Sequence, residues 1–410
     1  MKSIAKDGFD VAFEAVGSEH ATYCCISNIK PGHKIVLIGN RIKIVKKFLF
    51  IFLILILAII SYLLFCIDFK SLGNLPKGDY ANKIHQSINY RDGQFVNRQD
   101  TTLMTQDTNK IAETVKFLFR DNSNLSPQKA ITFEKIKFDS LSKEDLLIWL
   151  GHSSFYMQLS GKKILVDPVL SNYASPINFI NNAYQGTTVY KADDFKDLDM
   201  IVISHDHYDH LDRSSIEALK NQTKIFICPL GIKAILEGFG VDPSKIYEFD
   251  WDESISIDNL KIHTLTARHF SGRSLQANQT LWASFLFESD KLKVYYSGDS
   301  GYGEHFAQIG KKFKSIDYAL LENGQYNAKW AQIHMFPAET AKACNDLNAQ
   351  YLIPVHSGRF SLSDHSFKDP YNMLDRLSSD KEYMLLTPFY SDVVLLNKNN
   401  KPYDKWWLNF

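Results

Sequence analysis

The sequence predicts an α/β fold in which two β-sheets pack face to face between layers of helices, preceded by one membrane-spanning helix. Three observations carry this prediction. Short apolar runs alternate with turns over residues 133–166, which is typical of hairpin strands. Farther along, strand-like runs are followed by helical ones, as at residues 224–228 and 232–238, and this mixture favours an αββα sandwich. Residues 48–67 contain no charged side chain, which is typical of a helix that crosses a bilayer.

The composition indicates a folded domain and limits the classes of partner. Hydrophobic residues make up 45% of the 410 residues, which is enough for a large core. Lysine plus arginine equal aspartate plus glutamate at 46 each, and this zero net charge argues against a nucleic-acid-binding protein. The five cysteines show no C-x-x-C spacing, so we expect neither a disulfide framework nor a thiolate zinc site.

Residues 1–40 differ in character from the rest of the chain. Residues 8–17 and 30–39 indicate a strand–helix–strand unit, which resembles a fragment of the nucleotide-binding domain of zinc-type medium-chain alcohol dehydrogenases. The segment lacks the Gly-x-Gly-x-x-Gly turn and is too short to build a dinucleotide-binding sheet. We therefore interpret it as a truncated remnant or start-site artefact without NAD binding, and a cytoplasmic tail is the alternative.

Residues 41–70 are predicted to form a transmembrane anchor with a basic flank. The twenty uncharged residues, at ~1.5 Å rise each, span ~30 Å, which matches the core of a bilayer. Four of the seven residues at 41–47 are basic, which places the amino terminus in the cytoplasm and the chain after residue 70 on the extracytoplasmic side. The run ends at Leu63-Leu-Phe-Cys66 without the small residues that signal peptidase requires, so we expect the anchor to stay uncleaved.

Residues 71–130 are interpreted as a tether and an amino-terminal extension, and residues 131–410 as the main domain. Residues 71–87 are polar and contain glycine and proline, which suits a membrane-proximal linker. Residues 111–120 show helical spacing of apolar side chains. Packing against the domain is a commoner reason for such a stripe than contact with lipid.

The densest group of chemically active side chains lies at residues 199–212. An apolar run at residues 201–203 predicts a buried strand, and Ser214 with Glu217 forms a capping-box pattern that opens a helix. The group therefore lies on a strand-to-helix turn, where open α/β sheets place ligands. Imidazole and carboxylate suit zinc at ~2.0–2.2 Å, and imidazole also suits iron or nickel. The candidate ligands in this turn are His205, His207, Asp209 and His210.

The spacing within the turn predicts two adjacent metals. The first two histidines are two residues apart in extended chain, so their rings project to one side, and the later pair is turned towards a second point. Two adjacent ligand sets predict a two-metal hydrolytic site with ions ~3.5–4 Å apart. A solvated helix-entry loop is the alternative, and a single histidine would suit it better than three. The remaining ligands should lie at other strand ends, and three residues follow apolar runs there: His269, Asp299 and His356.

These residues carry a resemblance to a known family. His-x-His-x-Asp-His is similar to the metal motif of the metallo-β-lactamase superfamily, and roughly residues 88–408 resemble N-acylphosphatidylethanolamine-hydrolysing phospholipase D. Ascorbate-6-phosphate lactonases are a looser match. The flanking segments that carry the resemblance are Trp149-Leu-Gly-His152, Leu165-Val-Asp167-Pro168, Ala267-Arg-His269 up to Arg273, and Ser297-Gly-Asp299 up to Gly303.

The resemblance implies a four-layer αββα sandwich, two zinc ions with iron or manganese as alternative metals, and a homodimer. It also implies how the ligands divide. One metal binds His205, His207 and His269; the other binds Asp209, His210 and His356; Asp299 bridges both.

Five further residues are assigned supporting roles. By resemblance, His152 lies near the metals, and His334 is a pocket acid or a substrate ligand, with a structural turn histidine as its alternative. Asp167 and Asp206 are expected to orient metal-bound imidazoles through hydrogen bonds. Arg273 is a candidate partner for a phosphate, against the default of an exposed arginine.

The predicted site supports hydrolysis. Two metals lower the pKa of the water between them from ~15.7 towards ~7, Asp299 orients the resulting hydroxide, and His334 is assigned to protonate the leaving oxygen. The first hypothesis is a membrane-anchored dinuclear-zinc phosphodiesterase of the phospholipase D type that acts on N-acylphosphatidylethanolamine-like lipids. The second is a lactonase or amidase, and the third is a non-catalytic membrane scaffold, which has no need of a complete ligand set.

Overall fold

The computed structural model describes residues 9–14, 19–105, 115, 123–274, 276–397 and 399–410. The chain divides into two units, Met1–Ile67 and Asp68–Phe410. The first unit contains β1 (Phe9–Glu14), α1 (Glu19–Asn28), β2 (Ile29–Leu37) and α2 (Ile38–Cys66). Strands β1 and β2 pair in parallel, as the strand–helix–strand pattern predicts. The helix predicted at residues 111–120 lies, apart from residue 115, outside the described residues.

Helix α2 contains the uncharged run that the sequence predicts as a membrane span. Within the described ranges, Lys46–Cys66 is the helix long and apolar enough to cross a membrane. The apolar window of this helix is not buried in the described structure. Length and composition therefore meet the requirement for a membrane span.

The second unit contains two sheets and the helices that cover them. Its helices are α3 (Gly78–Ile84), α4 (Arg213–Leu219), α5 (Ile232–Gly238), α6 (His305–Phe313), α7 (Pro337–Asp346) and α8 (Asp369–Ser378). A small hairpin comprises β3 (Tyr90–Arg91) and β4 (Gln94–Phe95). The first large sheet comprises β5 (Leu146–Gly151), β6 (Ser154–Leu159), β7 (Lys162–Val166), β8 (Leu198–Val202), β9 (Thr223–Pro229), β10 (Ile246–Phe249) and β18 (Val394–Leu395). The second comprises β11 (Ser254–Ile257), β12 (Leu260–Leu265), β13 (Ser284–Ser289), β14 (Lys293–Tyr296), β15 (Ile316–Glu322), β16 (Ala349–Val355) and β17 (Met384–Leu385).

Each large sheet combines an antiparallel half with a parallel half. In the order β18-β5-β6-β7-β8-β9-β10, neighbours are antiparallel as far as β7 and parallel beyond it. The second sheet runs in order from β11 to β17 and changes in the same way at β14. Parallel neighbours need a crossover connection, and helices α4 to α8 each lie in one. The two halves of the sandwich are therefore built alike.

Alternating side chains hold the four layers together. Along β5, Leu147 packs in a buried cluster with Phe285 of the other sheet, whereas Leu146 packs with Ile216 of α4. Along β13, the next residue after Phe285, Leu286, packs with helix α6. Successive residues of a strand point to opposite faces, so each sheet buries one face against its partner and one against helices. The predicted αββα sandwich is confirmed.

The predicted strand at residues 133–138 is wrong. Residues 133–137 are irregular, and a short 3-10 helix follows at Phe138–Ser140. Phe133 instead stacks on Tyr390, with ring centroids 5.0 Å apart. The apolar residues of this run serve packing at the sandwich surface and not a β-ladder.

Residues 71–87, interpreted as a tether, are built into the second unit. Helix α3 lies within this stretch, and the Tyr80 hydroxyl donates a hydrogen bond of 2.6 Å to Glu248. Ser71 is buried, and Asp68 just before it pairs with Arg213 at 2.6 Å. The polar side chains that suggested a linker are polar because they make these contacts.

Candidate metal centre

The turn after β8 has the predicted strand-to-helix form, with one correction. Helix α4 begins at Arg213, and its N-cap is Asp212, whose carboxylate accepts a hydrogen bond from the Ser215 N–H at 3.1 Å. The predicted cap at Ser214 is therefore wrong. The Asp212 carboxylate is the N-cap because it accepts hydrogen bonds from the first turn of the helix, including one from the Ser214 hydroxyl at 2.9 Å.

The structure brings all seven predicted ligands together. The histidine-rich turn follows β8, and the other three residues follow β12, β14 and β16. The last three strands run in one direction, so their carboxyl ends meet at one edge of the sandwich. The predicted ligands fall into two groups, within each of which the possible ligand atoms lie within 4.8 Å of one another. The first is His205, His207, His269 and Asp299; the second is Asp209, His210 and His356 together with an eighth residue, His152.

The first group has the spacing of a single coordination sphere. His207 Nδ1 lies 2.9 Å from His205 Nε2 and 3.2 Å from His269 Nε2. Asp299 Oδ2 lies 3.7 Å from the Nε2 atoms of both His205 and His269. Ligands held ~2.0–2.1 Å from a tetrahedral zinc ion are ~3.3–3.4 Å apart. The measured separations lie on both sides of that value.

The second group shares Asp299 with the first. The other carboxylate oxygen of Asp299, Oδ1, lies 3.1 Å from His210 Nε2 and 3.1 Å from His356 Nδ1. Asp209 Oδ2 lies 3.5 Å from His210 Nε2 and 4.0 Å from His356 Nδ1. Each carboxylate oxygen of Asp299 therefore faces a different group. Burial raises the pKa of this carboxyl to about 7.

The side chains at the centre fit divalent cations. Among the described residues, His210 Nε2, Asp299 Oδ1 and His356 Nε2 are buried without a hydrogen-bond partner. Burial lowers the pKa of His207 to about 4 and that of His205 well below its usual range, where neighbouring imidazoles act in the same direction. Neutral imidazoles offer lone pairs, and buried polar atoms without partners are costly unless a cation satisfies them.

Asp167 contacts the second group in the way that the sequence predicts. Its Oδ2 accepts hydrogen bonds from His210 Nδ1 at 2.8 Å and from the Tyr296 hydroxyl at 2.5 Å. Its Oδ1 accepts the Ser204 N–H at 2.7 Å. With Nδ1 held in this way, His210 directs Nε2 towards Asp299.

Asp206 does not orient an imidazole, so that prediction is wrong. Among the described residues, its carboxylate accepts a hydrogen bond from the Gly272 N–H at 3.1 Å. It thereby ties the histidine-rich turn to the loop that follows His269. Its charge acts on His207, whose pKa it raises against the larger effect of burial, but no hydrogen bond between the two side chains is present among the described residues.

Arg273 is neither exposed nor available to a phosphate. The side chain is buried, and its Nη1 donates to the carbonyls of Asp206 at 2.8 Å and Leu211 at 2.7 Å. Its Nε donates to the Ser71 carbonyl at 2.5 Å, and its guanidinium lies 4.3 Å from the centre of the Tyr208 ring. Burial lowers its pKa. Arg273 therefore links the histidine-rich turn, at Asp206 and Leu211, to Ser71 near the start of the second unit.

His152 lies beside the predicted ligands of the second group, Asp209, His210 and His356, as the resemblance implies. Its Nε2 is hydrogen bonded to Asp209 Oδ2 at 2.8 Å, and its ring centroid lies 4.2 Å from that of His356. His152, Asp167 and His356 have positive φ angles of 55°, 42° and 65°. Such backbone costs ~1–2 kcal/mol per non-glycine residue and is typical of functional sites, where packing enforces it.

His334 lies across both ligand groups, and a glutamate that the sequence did not predict holds it. Its ring stacks on His356 at a centroid distance of 5.2 Å and lies perpendicular to His269 at 5.0 Å. Its Nδ1 lies 3.0 Å from Oε2 of Glu322. Burial raises the pKa of Glu322 well above its usual range. The available signal was position, because Glu322 ends an apolar strand just as Asp299 and His356 follow theirs.

Comparison with known proteins identifies the family. Residues 162–357 match the Beta-lactamase superfamily domain. An uncharacterized protein of Mycobacterium tuberculosis is 36% identical over 294 residues, which cover 70% of this chain and 79% of that protein. The chain belongs to the metallo-β-lactamase superfamily.

Two further relatives agree with this membership of the metallo-β-lactamase superfamily. N-acyl-phosphatidylethanolamine-hydrolyzing phospholipase D 1 of Caenorhabditis elegans is 29% identical over 298 residues, covering 67% of this chain and 83% of that protein. The crystal structure of isothiocyanate hydrolase from Delia radicum gut bacteria shares the fold, with a TM-score of 0.50 and 18% identity over 61% of this chain and 98% of that one. The chain is a metal-dependent hydrolase, as the sequence predicts, and its relatives imply a small-molecule or lipid substrate.

Proposed function

We propose that this hydrolase is a dinuclear phosphodiesterase of the phospholipase D type that cleaves N-acylphosphatidylethanolamine-like lipids. The observation that carries the proposal is the division of Asp299, whose Oδ2 faces one group of ligands and whose Oδ1 faces the other. A carboxylate shared in this way between two sets of imidazoles is what a pair of cations ~3.5–4 Å apart requires.

The chemistry follows from the ligand set. Two divalent cations, zinc by expectation with iron or manganese as alternatives, activate water and neutralise charge on phosphoryl oxygens when bound. Asp299 lies between the two groups, where it can orient the attacking water, and His334 lies where it can protonate the leaving alcohol. His152 and Asp167 hold Asp209 and His210 in place. No serine or cysteine nucleophile is required.

The substrate class is proposed from the relatives, because the ligands alone suit any electrophilic phosphorus or carbonyl. The match to the nematode N-acyl-phosphatidylethanolamine-hydrolyzing phospholipase D covers most of that protein. An apolar helix in the same chain would keep the enzyme at a lipid surface. Both observations favour a phospholipid over a soluble metabolite.

We also propose that Lys46–Cys66 anchors the enzyme, with the amino terminus in the cytoplasm and the hydrolase domain on the extracytoplasmic side. The basic residues at 41–47 support this orientation. The proposed division is a dehydrogenase-like fragment or tail at 1–40, the anchor at 41–70, an extension to 130 and the hydrolase domain at 131–410. Protease protection of the domain in sealed inside-out vesicles is expected, and digestion there would contradict the orientation.

The activity is tested on the full chain in detergent micelles with N-acylphosphatidylethanolamine. We expect turnover that a chelator abolishes and added zinc restores. Two histidines give a matched pair of variants: His263 lies in strand β12, and His269 follows that strand. His269→Gln should lower kcat/KM by more than the ~10–100-fold typical of residues that only hold a ligand. His263→Gln should leave activity unchanged. The Nε2 atom of His263 is hydrogen bonded to Glu288 at 2.9 Å, and His263 is not a member of either ligand group.

The same assay separates the alternatives. Chelator-insensitive or absent turnover contradicts the proposal. Hydrolysis of lactones or amides, with none of phosphodiesters, would assign the lactonase or amidase activity instead. Less than one metal ion per chain by elemental analysis would support the non-catalytic scaffold. Sedimentation of the purified chain tests the homodimer that the resemblance implies.

A further inference from the structure

A buried carboxylate that the proposed chemistry does not use lies beside the metal centre. Glu322 ends strand β15 and is fully buried. Its Oε2 lies 3.0 Å from His334 Nδ1, and its Oε1 accepts a hydrogen bond from the Met335 N–H. Its main chain is fixed too, because its N–H donates to Ser297 Oγ and its carbonyl accepts from the Thr340 hydroxyl. The carboxylate is therefore held rigidly on both sides.

His334 is the side chain through which this carboxylate can act on a substrate. The His334 ring lies nearly parallel to His356, at an interplanar angle of 9°, and at 72° to His269. Among the described residues, Nδ1 is the ring nitrogen of His334 that is hydrogen bonded, which leaves Nε2 for a ligand. The His334 side chain is 12% exposed and that of Glu322 is 0% exposed, so a substrate reaches the imidazole and not the carboxylate.

We propose that Glu322 is a positioning residue: its carboxylate accepts the Nδ1 proton of His334 and fixes the ring orientation, so that Nε2 faces the leaving oxygen and donates its proton from the doubly protonated ring. The inference rests on the proposed hydrolysis of phosphodiesters. A carboxylate bonded to one imidazole nitrogen serves hydrolases in this way, since it selects the tautomer and stabilises the protonated ring. Positioned acid catalysis contributes ~10²–10⁴-fold in rate.

The proton balance of the step is simple. The attacking water forms the new P–O bond, and the leaving alcohol oxygen takes the electron pair of the breaking P–O bond together with the Nε2 proton of His334. Before the step His334 carries a proton on each ring nitrogen and Glu322 is a carboxylate; after it His334 keeps the Nδ1 proton, which Glu322 accepts, and Nε2 has a lone pair. A proton of the consumed water restores the first state.

A metal ligand is the competing role for Glu322. Ligand atoms of Asp299, Glu322, His334 and His356 lie within 4.8 Å of one another and could hold a cation. Both oxygens of Glu322 already accept hydrogen bonds, and Asp299 already divides its oxygens between the two groups. We therefore expect two metal ions per chain, and a third ion lost in Glu322→Gln would contradict the positioning role.

The experiment compares two phosphodiesters on the full chain in micelles, one with an alkyl alcohol as leaving group and one with 4-nitrophenol. Only the alkoxide needs a proton to leave. For Glu322→Gln, we expect kcat on the alkyl diester to fall ~10–100-fold with KM unchanged, and the nitrophenyl diester to change less than ~3-fold. Glu339→Gln is the matched control, since its carboxylate accepts the Phe336 N–H and does not contact His334. It should behave as the wild type on both substrates.

Two further measurements isolate the pair. In a His334→Asn background, Glu322→Gln should cause no additional loss, because the carboxylate then has no ring to position. In histidine-labelled protein, the low-field N–H resonance of His334 should disappear in Glu322→Gln and in His334→Asn. This resonance needs no substrate, so it tests the pair even when phosphodiester hydrolysis fails.

Several results would overturn the inference. These are equal losses on the two diesters, an additional loss in the His334→Asn background, a lower metal content, or a resonance that survives Glu322→Gln. If Glu322→Gln does not fold, persistence of the resonance in His334→Asn has the same force. A chain that hydrolyses neither diester while the resonance behaves as expected would contradict the proposed function and leave the pairing intact.

Discussion

Replacing Asp167 with asparagine should weaken one of the two cation sites through a change of tautomer. Oδ2 of Asp167 accepts hydrogen bonds from His210 Nδ1 at 2.8 Å and from the Tyr296 hydroxyl at 2.5 Å. An amide nitrogen in that place donates, so His210 keeps the contact only if its proton moves from Nδ1 to Nε2. Nε2 is the atom 3.1 Å from Asp299 Oδ1, and once protonated it has no lone pair for a cation.

The magnitude follows from the donors around Asp167. Turning the amide over does not help, because its nitrogen would then face the Ser204 N–H, which Oδ1 now accepts at 2.7 Å. A buried donor or acceptor left unpaired costs ~1–3 kcal/mol. Loss of a residue that holds a metal-binding histidine typically costs ~10–100-fold in metal affinity, or ~1.4–2.8 kcal/mol. The two figures agree, so we expect a ~10–100-fold loss at one site.

The assay is a competition titration of zinc against a chromophoric chelator. Wild type should bind two equivalents, and Asp167→Asn should bind one equivalent with wild-type affinity and the second more weakly. Asp206→Asn is the control, because Asp206 sits in the same turn but contacts the Gly272 N–H. Thermal unfolding of the zinc-free proteins checks the fold. Two equivalents bound by Asp167→Asn with unchanged affinity would refute the tautomer argument.

Three further predictions concern other parts of the chain. A Cβ on Gly301 would lie 1.9 Å from the Gln332 carbonyl oxygen, so Gly301→Ala should destabilise by ~3 kcal/mol or more in urea unfolding, whereas Gly78→Ala, with open space around it, should cost ~1 kcal/mol. Burial lowers the pKa of His305 to about 3, so unfolding takes up a proton below pH ~6.5 and stability falls by ~2 kcal/mol between pH 7 and pH 5. His305→Gln should lose that part of the acid sensitivity, and an unchanged difference between the two pH values would contradict it. Deleting residues 1–40 should leave hydrolysis unchanged, and a large loss of activity would show that the segment contributes.

The cluster of candidate metal ligands could be predicted because much of its chemistry is encoded locally. Four of them fall within six residues, and the side chains of His205 and His207 share one side of an extended turn. The other three follow apolar runs, and strand ends of an α/β sheet meet at one edge. Four of the candidate ligands therefore lie in one short window and three at separate strand ends, and the structure brings their side chains together.

Of the residues that hold the ligands, His152 and Asp167 were suggested by the resemblance and the sequence, whereas Arg273 and Glu322 were not assigned their contacts, because their partners are distant in sequence. Arg273 donates to the carbonyls of Asp206 and Leu211, more than sixty residues earlier in the chain, and to that of Ser71, about two hundred residues earlier. Main-chain carbonyls carry no mark in a sequence, so an arginine that binds them looks like any exposed arginine. Asp206 was misread for the same reason. Glu322 ends a strand that contains no motif, and only the position of His334 shows what its carboxylate is for.

This division between local and distant determinants has a consequence for mutation. The motif residues are the proposed ligands, whose lone pairs would bind the cations, so replacing one would remove a ligand. Residues outside the motif that contact a ring decide which nitrogen carries its proton: Asp167, which the sequence suggested, at Nδ1 of His210, and Glu322, which only the folded chain reveals, at Nδ1 of His334. Replacing them leaves every ligand in place but sets the ring in the wrong state. We therefore expect partial losses when such a residue is replaced. Asp167→Asn should lower the affinity for one of the two cations, and Glu322→Gln should lower kcat only for substrates with an alkyl leaving group.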